Sequence, residues 1–399
     1  MNLKIENLTK AFESKIDRST WKTWAFSDLV ENINEKVVPK DSGLDHYIGL
    51  EHLDTGSLHI RRFGETASLI GNKLKIYEGD LIFAKRNAYL KRVAIAKFDA
   101  VASAHSLVLR AKPENVLPEF LPFFMLSEIF WQKAIEISVG SLSPTINWKA
   151  LAKQEFLLPP KAQQAELAEL LWALDEVVES TIAVGEKLKT IRLTLREKEL
   201  AAKQYQRVKL ENLVPDIIAG KSINGTNTPA KSDEKGVLKV SAVGVDGFVS
   251  IENKVLSEQS EFLEQYQVKS GDILITRANT TELVGRVCLV EEDFPNLMLC
   301  DKTLKLVIDH EKIDRTYLVE ILNGLGSRNQ IEAFATGTGG AMKNITQQEI
   351  KSIRVPMPTM DQQHVLVAQI QTVKSNLAKQ ANQESNLRNL TASLINQIF

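Results

Sequence analysis

Cysteine is nearly missing from this 399-residue chain, which has only Cys288 and Cys300. Two cysteines cannot build a disulfide framework, and their spacing fits no zinc-ligand set, so two buried thiols in a reducing cytoplasm are expected. Net charge is nearly missing too, with 49 Lys+Arg against 50 Asp+Glu for a formal −1. A protein that captures polyanions by bulk electrostatics alone is therefore not expected. Long apolar runs are also lacking. The greasiest stretch, residues 117–137, is interrupted by Glu119, Pro122, Glu128 and Lys133, which excludes it as a membrane span. Residues 1–26 mix charged with apolar side chains and carry no unbroken apolar core of the kind an export signal needs, so a cytoplasmic location is expected. What is present is ordinary globular material: 44% hydrophobic and 25% charged residues, at a length that suggests two or three domains.

The chain repeats itself once. Gly79-Asp80-Leu81-Ile82 followed by Lys85 recurs as Gly271-Asp272-Ile273-Leu274 followed by Arg277, an offset of 192 residues. Arg92-Val93 matches Arg286-Val287, and Ser106-Leu107-Val108-Leu109 matches Thr303-Leu304-Lys305-Leu306. Beyond that the offset settles at 199, pairing Gly140 with Gly339, Ile146 with Ile345, Leu151 with Ile350, Pro159 with Pro358 and Gln163-Gln164 with Gln362-Gln363. A collinear series of this kind marks a duplication and sets the fold expectation. Weaker echoes extend it upstream, where residues 47–56 resemble residues 238–247 in alternation and closing glycine.

Each copy changes periodicity in the same way. Short apolar runs at 81–83, 93–95, 107–109, 273–275 and 304–306, bounded by Gly, Asn, Lys and Asp, predict strands. Helices are expected near 118–136 and 316–335, then a glycine turn (Gly140; Gly337 to Gly340), a short amphipathic helix and a proline-containing extended segment. After the prolines the pattern becomes purely helical. Leu167, Leu170, Leu174, Val177, Val184, Leu188, Ile191 and Leu195 step by three and four, broken by Thr181. Leu366, Ile370, Val373, Leu377, Leu387, Leu394 and Ile398 do the same, with polar Gln380 and Glu384 between. Spacing near 3.5 over several heptads predicts a coiled coil of helices about 40 residues, or roughly 60 Å, long. Such helices need partners to be stable, and an antiparallel pairing of the two, with pseudo-two-fold symmetry, is expected. Two helical hairpins or a homodimer seam are the alternatives.

Charge is unevenly spread. Residues 162–186 hold six acids and no Lys or Arg, while 187–203 hold six bases and two acids, an order that suits the helix macrodipole. Residues 61–112 hold eleven Lys+Arg against four acids. There Lys85, Arg86, Asn87, Tyr89, Lys91 and Arg92 share one strand-loop-strand segment, and the second copy offers Arg277, Asn279, Thr280, Thr281 and Arg286. Arg fits guanine O6/N7 and Asn fits adenine N6/N7, so these loops are candidate base readers, although a solvated polar hairpin explains any one of them.

Two strand-rich copies, each closed by Gly140 to Ile146 or Gly339 to Ile345, a proline segment, a Gln-Gln pair and a heptad helix, resemble the specificity (S) subunits of type I restriction-modification systems. The resemblance runs from about Trp24 to Phe399 and rests on the order and duplication of individually short motifs. It implies an α+β fold with two target recognition domains, 1–158 and 206–357, joined by coiled-coil helices at 159–205 and 358–399. It further implies a non-catalytic protein that reads an asymmetric bipartite site in double-stranded DNA. The coiled coil, through Leu167, Leu174, Leu188, Leu195, Ile370, Leu377, Leu387 and Leu394, would set the gap and dock two methyltransferase subunits, joined by restriction subunits in systems that carry them. Residues 1–22 have no clear counterpart in the second copy.

No cofactor motif, metal spacing or catalytic constellation stands out. Leu157-Leu158-Pro159-Pro160 lacks the polar residue and the aromatic that hold a flipped adenine. Residues 334–339 are glycine-rich but follow a predicted helix, so they read as a turn. Pro215-Asp216 with Asp233-Glu234-Lys235 loosely matches the pattern of Mg²⁺-dependent nucleases, and Asp233 sits in a loop-like run. That nuclease, and a scaffold without nucleic-acid contact, are the rival readings.

Overall fold

In this computed structural model the described residues are 17–201, 205–337 and 342–399. Most of residues 1–22 and the centre of the glycine-rich turn, including Gly339, lie outside them. The chain divides into two units, Met1–Val184 with Gln380–Phe399, and Gly185–Lys379. Each unit carries the same α+β topology.

In the first unit the strands Val30–Ile33, Ser106–Ala111, Leu81–Ala84 and Val93–Ile95 lie in that order in one antiparallel sheet. In the second, Asp216–Ala219, Thr303–Val307, Ile273–Thr276 and Val287–Leu289 do the same. The apolar runs identified from the sequence are these strands, and they are buried on both faces (Leu81 to Ala84; Ile273 to Thr276), which is why they read as continuous and not alternating. A second, five-stranded sheet in each unit contains one parallel pair, His46–Ile48 with Ala100–Ala102 and Gly236–Leu238 with Phe294–Met298. The upstream echo is therefore structural: each of those first strands leads into a 3₁₀ turn and then a glycine with positive φ, Gly56 at +69° and Gly247 at +147°.

The helices expected near 118–136 and 316–335 are each two shorter ones. Leu121–Leu126 ends where Ser127 caps Glu128–Glu136, accepting from Phe130 N–H. Arg315–Leu322 ends at Asn323, whose side-chain amide donates to Val287 O at 2.7 Å, before Leu325–Phe334 begins. At the first break the Ser127 hydroxyl takes the Phe124 carbonyl and caps the next helix, and at the second Asn323 turns its side chain to the neighbouring strand at Val287. The proline segments are strands, Glu155–Leu158 and Arg354–Pro356, paired with Lys22–Ala25 and Arg207–Lys209.

The long helices run over Lys161–Ala201 and Met360–Ile398. Within the first unit, Leu167 and Leu171 share a core with Leu394, Ile395 and Ile398, and Gln380 donates to Thr181 O at 2.7 Å, so the two stretches run antiparallel there. In the second unit Leu195 packs against the core that holds Leu366, Val367 and Ile370. The seam differs from the sequence expectation in the first helix. Leu171 and Val178 are buried, whereas Val177, Val184 and Ile191 are about half exposed. Thr181, expected as a break, is 8% exposed and sits in the seam. A three-four step fits two adjacent stripes of a Leu-rich helix, and only packing selects between them. Leu167, Leu174, Leu188 and Leu195 lie on the selected one, and all four are at least partly buried.

Candidate nucleic-acid interface

The recurring motifs hold the two candidate loops in place. In the first unit Ile146 N–H donates to Lys85 O at 2.8 Å, and in the second Ile345 N–H donates to Arg277 O at 3.0 Å. Both isoleucines are fully buried, so each loop leaves its strand from an anchored base. The Gln-Gln pairs are a second anchor. Gln164 and Gln363 are buried; each accepts a backbone N–H from its domain, Leu117 at 2.8 Å and Asp314 at 2.9 Å. Each also donates to the preceding proline carbonyl, Pro159 at 2.9 Å and Pro358 at 3.1 Å. The first glutamines differ between the copies. Gln163 accepts from Trp21 Nε1, and Gln362 completes a cap with Thr359 at the start of the last helix.

The six candidate residues of the first loop divide into two groups. Asn87 accepts from Ser143 Oγ at 2.8 Å, Lys91 Nζ donates to Glu128 Oε1 at 2.7 Å, and Arg92 Nη1 donates to Leu50 O at 2.7 Å. These three are engaged by the protein itself. Asn87 and Lys91 also hold positive φ, +56° and +46°, a conformation that costs a lysine about 1–2 kcal/mol and that the ion pair to Glu128 helps to hold. Lys85, Arg86 and Tyr89 form the second group. Arg86 and Tyr89 are exposed, with Arg86 Nε donating to Ser143 Oγ. Lys85 lines a cleft of about 840 Å³ together with Lys36, Lys73, Asn32, Asn34, Asn72 and Asn147. Ser106, whose buried hydroxyl has no partner, stands in the same wall.

Positive charge gathers at this cleft. Burial holds the Lys85 ammonium below the usual lysine range, and His105 is held below the ordinary histidine value by burial and then by Arg86, Lys85 and Lys73. Lysines and asparagines in one concave surface are the residue types that grip phosphate and read adenine. Sequence reasoning missed Asn32, Asn34, Asn72 and Asn147 because they come from separated segments that only the sheets bring together.

In the second unit Arg277 is exposed, and Asn279 Oδ1 accepts from Thr280 N–H, forming a local turn. Arg286 Nε donates to Glu282 O, and its guanidinium is held below the usual range by burial, with Arg196 adding to the effect. Arg277 is thus the more available of the two arginines.

The nuclease pattern does not assemble. Lys235 Nζ donates to Pro295 O and lies 4.3 Å from the Phe262 ring centroid, and Asp216 Oδ1 accepts from Ile217 N–H. Among the described residues the cluster of His, Cys, Asp or Glu with metal-like spacing is His59, Asp175 and Glu179, where the Arg61 guanidinium already pairs with Glu179. Both cysteines are buried, and burial pushes the Cys288 thiol up to about 12. Among the described residues no helix is long and apolar enough to cross a membrane.

Comparison with known proteins gives one consistent result. Residues 19–190 and 216–386 each match the family described as Type I restriction modification DNA specificity domain. The Type I restriction enzyme EcoEI specificity subunit of Escherichia coli is 30% identical over 155 residues, spanning 39% of this chain and 26% of that subunit. The EcoKI specificity subunit of Escherichia coli strain K12 is 25% identical over 323 residues, 76% of this chain and 69% of its own length. Among solved structures, the S subunit of a type I restriction-modification system from M. genitalium has a TM-score of 0.55 at 12% identity, covering 97% of this chain and 98% of that one. A chain from a structure describing complex assembly and conformational transition of the type I R-M system has a TM-score of 0.56 at 18% identity, covering 95% and 97%. At these identities the structural likeness is one of fold.

Proposed function

The chain belongs to the family of type I restriction-modification DNA specificity subunits, and from that premise we propose that it reads a split, asymmetric DNA site as the non-catalytic subunit of a cytoplasmic methyltransferase complex. The target recognition domains are residues 1–158 and 206–357, one for each half-site, and the helices at 159–205 and 358–399 set the gap between half-sites. The observation that carries this reading is the duplicated fold with unlike loops: one scaffold used twice, offering a Lys- and Asn-lined cleft in the first copy and an exposed Arg277 in the second. Different side chains at equivalent places select different bases, so the site is asymmetric.

Phosphate grip is divided between this chain and its partners. A formal charge of −1 leaves little non-specific affinity for the chain alone, and the methyltransferase subunits supply the rest. They dock on the coiled coil, where the half-exposed Val177, Val184 and Ile191 stripe is apolar surface that the seam leaves uncovered. The first-loop contacts to DNA come from Lys85, Arg86 and Tyr89, while Asn87, Lys91 and Arg92 shape the loop. In the second copy Arg277, Asn279, Thr280 and Arg286 form the corresponding edge.

Selection of duplexes from a random library by the complex tests this. The expected result is two short motifs at one fixed gap, with specific binding lost when a single base pair is inserted between them. Lys85→Ala is expected to weaken the selected duplex by about tenfold, the scale of one good base or phosphate contact. Equal affinity for all sequences and spacings overturns the reading.

A further inference from the structure

The two units fasten their domains to the helices with opposite charge. In the first unit the helix supplies the acids: Asp175 Oδ2 lies 2.6 Å from His59 Nε2, and Glu179 Oε1 lies 3.9 Å from the same nitrogen and pairs with Arg61. In the second unit the helices supply the cations and the domain the acid. Glu320, 1% exposed, takes Arg192 Nη2 at 2.9 Å and Lys374 Nζ at 3.1 Å. The 199-residue offset that aligns Gln164 with Gln363 also aligns Asp175 with Lys374, so one position of the repeat carries opposite signs in its two copies. The domain side has diverged in step. Counting from the equivalent Gln partners Leu117 and Asp314, Phe123 corresponds to Glu320. Phe123 packs on Trp172 with ring centroids 4.9 Å apart, and Trp172 aligns with Gln371, which lines the cavity beside Glu320.

We propose that these clasps are a charge key, which codes each recognition domain to its own stretch of helix and rejects the other. A domain carrying Glu320 placed over Asp175, Glu179 and Trp172 would bury an unpaired carboxylate against two others, and one carrying Arg61 over Arg192 and Lys374 would oppose cations. Mismatches of that kind discriminate more strongly than any gain from the correct pair, because an isolated buried charge has no water to fall back on. The consequence for function, a fixed order of the two half-sites, rests on the proposed function; the key itself does not.

Amide hydrogen exchange on the full-length chain tests the key without DNA. Lys374→Asp is expected to raise exchange across residues 315–322 by about tenfold or more and to leave residues 56–62 unchanged. In a Glu320→Gln background the same change is expected to raise it by less than about threefold, because an amide donates to the new carboxylate and still accepts from Arg192. Asp175→Lys is expected to act in mirror image, on 56–62 and not on 315–322. An equal rise whether residue 320 is Glu or Gln, or no rise at all, overturns the proposal. Should Lys374→Asp alone fail to fold, recovery of folded chain in the Glu320→Gln background supports the key and failure there overturns it. Loss of selected-duplex binding with these exchange patterns intact would instead count against the proposed function.

Discussion

A glutamine side chain is the smallest unit at which this sequence shows its plan. Gln164 and Gln363 each satisfy one partly buried N–H and one buried carbonyl where a domain meets its helix. Truncation leaves a buried carbonyl and a partly buried N–H unpaired, so Gln363→Ala is expected to cost about 1–3 kcal/mol in urea unfolding. Its neighbour Gln362, exposed and engaged only in a helix cap, is expected to cost about 1 kcal/mol or less. The pair was legible as a repeated motif, but its division of labour was not, because the partners lie 47 and 49 residues away. The same holds for the loop. Lys91 and Arg92 looked like base readers by composition, and Glu128 and Leu50 take them instead.

Among the elements, the long helices show best how far periodicity reaches. Their existence and length followed from spacing, while the buried stripe of the first helix did not. Leu171→Asp is expected to destabilise the first unit by more than about 3 kcal/mol, since it buries an unpaired charge in the seam. Val177→Asp, on the half-exposed stripe, is expected to change stability by less than about 1 kcal/mol and to weaken co-purification with the methyltransferase subunit. Comparing the two by chemical denaturation and pull-down separates the seam from the proposed docking face. The acidic stretch at 162–186, which the macrodipole would explain, acquires a second cause here. Two of its six acids, Asp175 and Glu179, face His59 and Arg61 of the recognition domain.

For the whole molecule the duplication is the governing fact, and it predicts how the DNA gap responds to helix length. Adding one heptad to each long helix lengthens it by about 10 Å at 1.5 Å per residue, or roughly three base pairs at 3.4 Å each. The selected gap is expected to lengthen accordingly, measured by repeating the duplex selection, and an unchanged gap excludes the ruler role. The sequence by itself determined the repeat, the strand and helix content and the heptad period, because each is a pattern along one dimension that local sterics and side-chain spacing enforce. Only the tertiary structure decided which charged side chains are spent inside the protein and which remain for a ligand. His59 meets Asp175 across 116 residues and Arg192 meets Glu320 across 128, so the electrostatic role of each depends on which surfaces the fold presses together and dries.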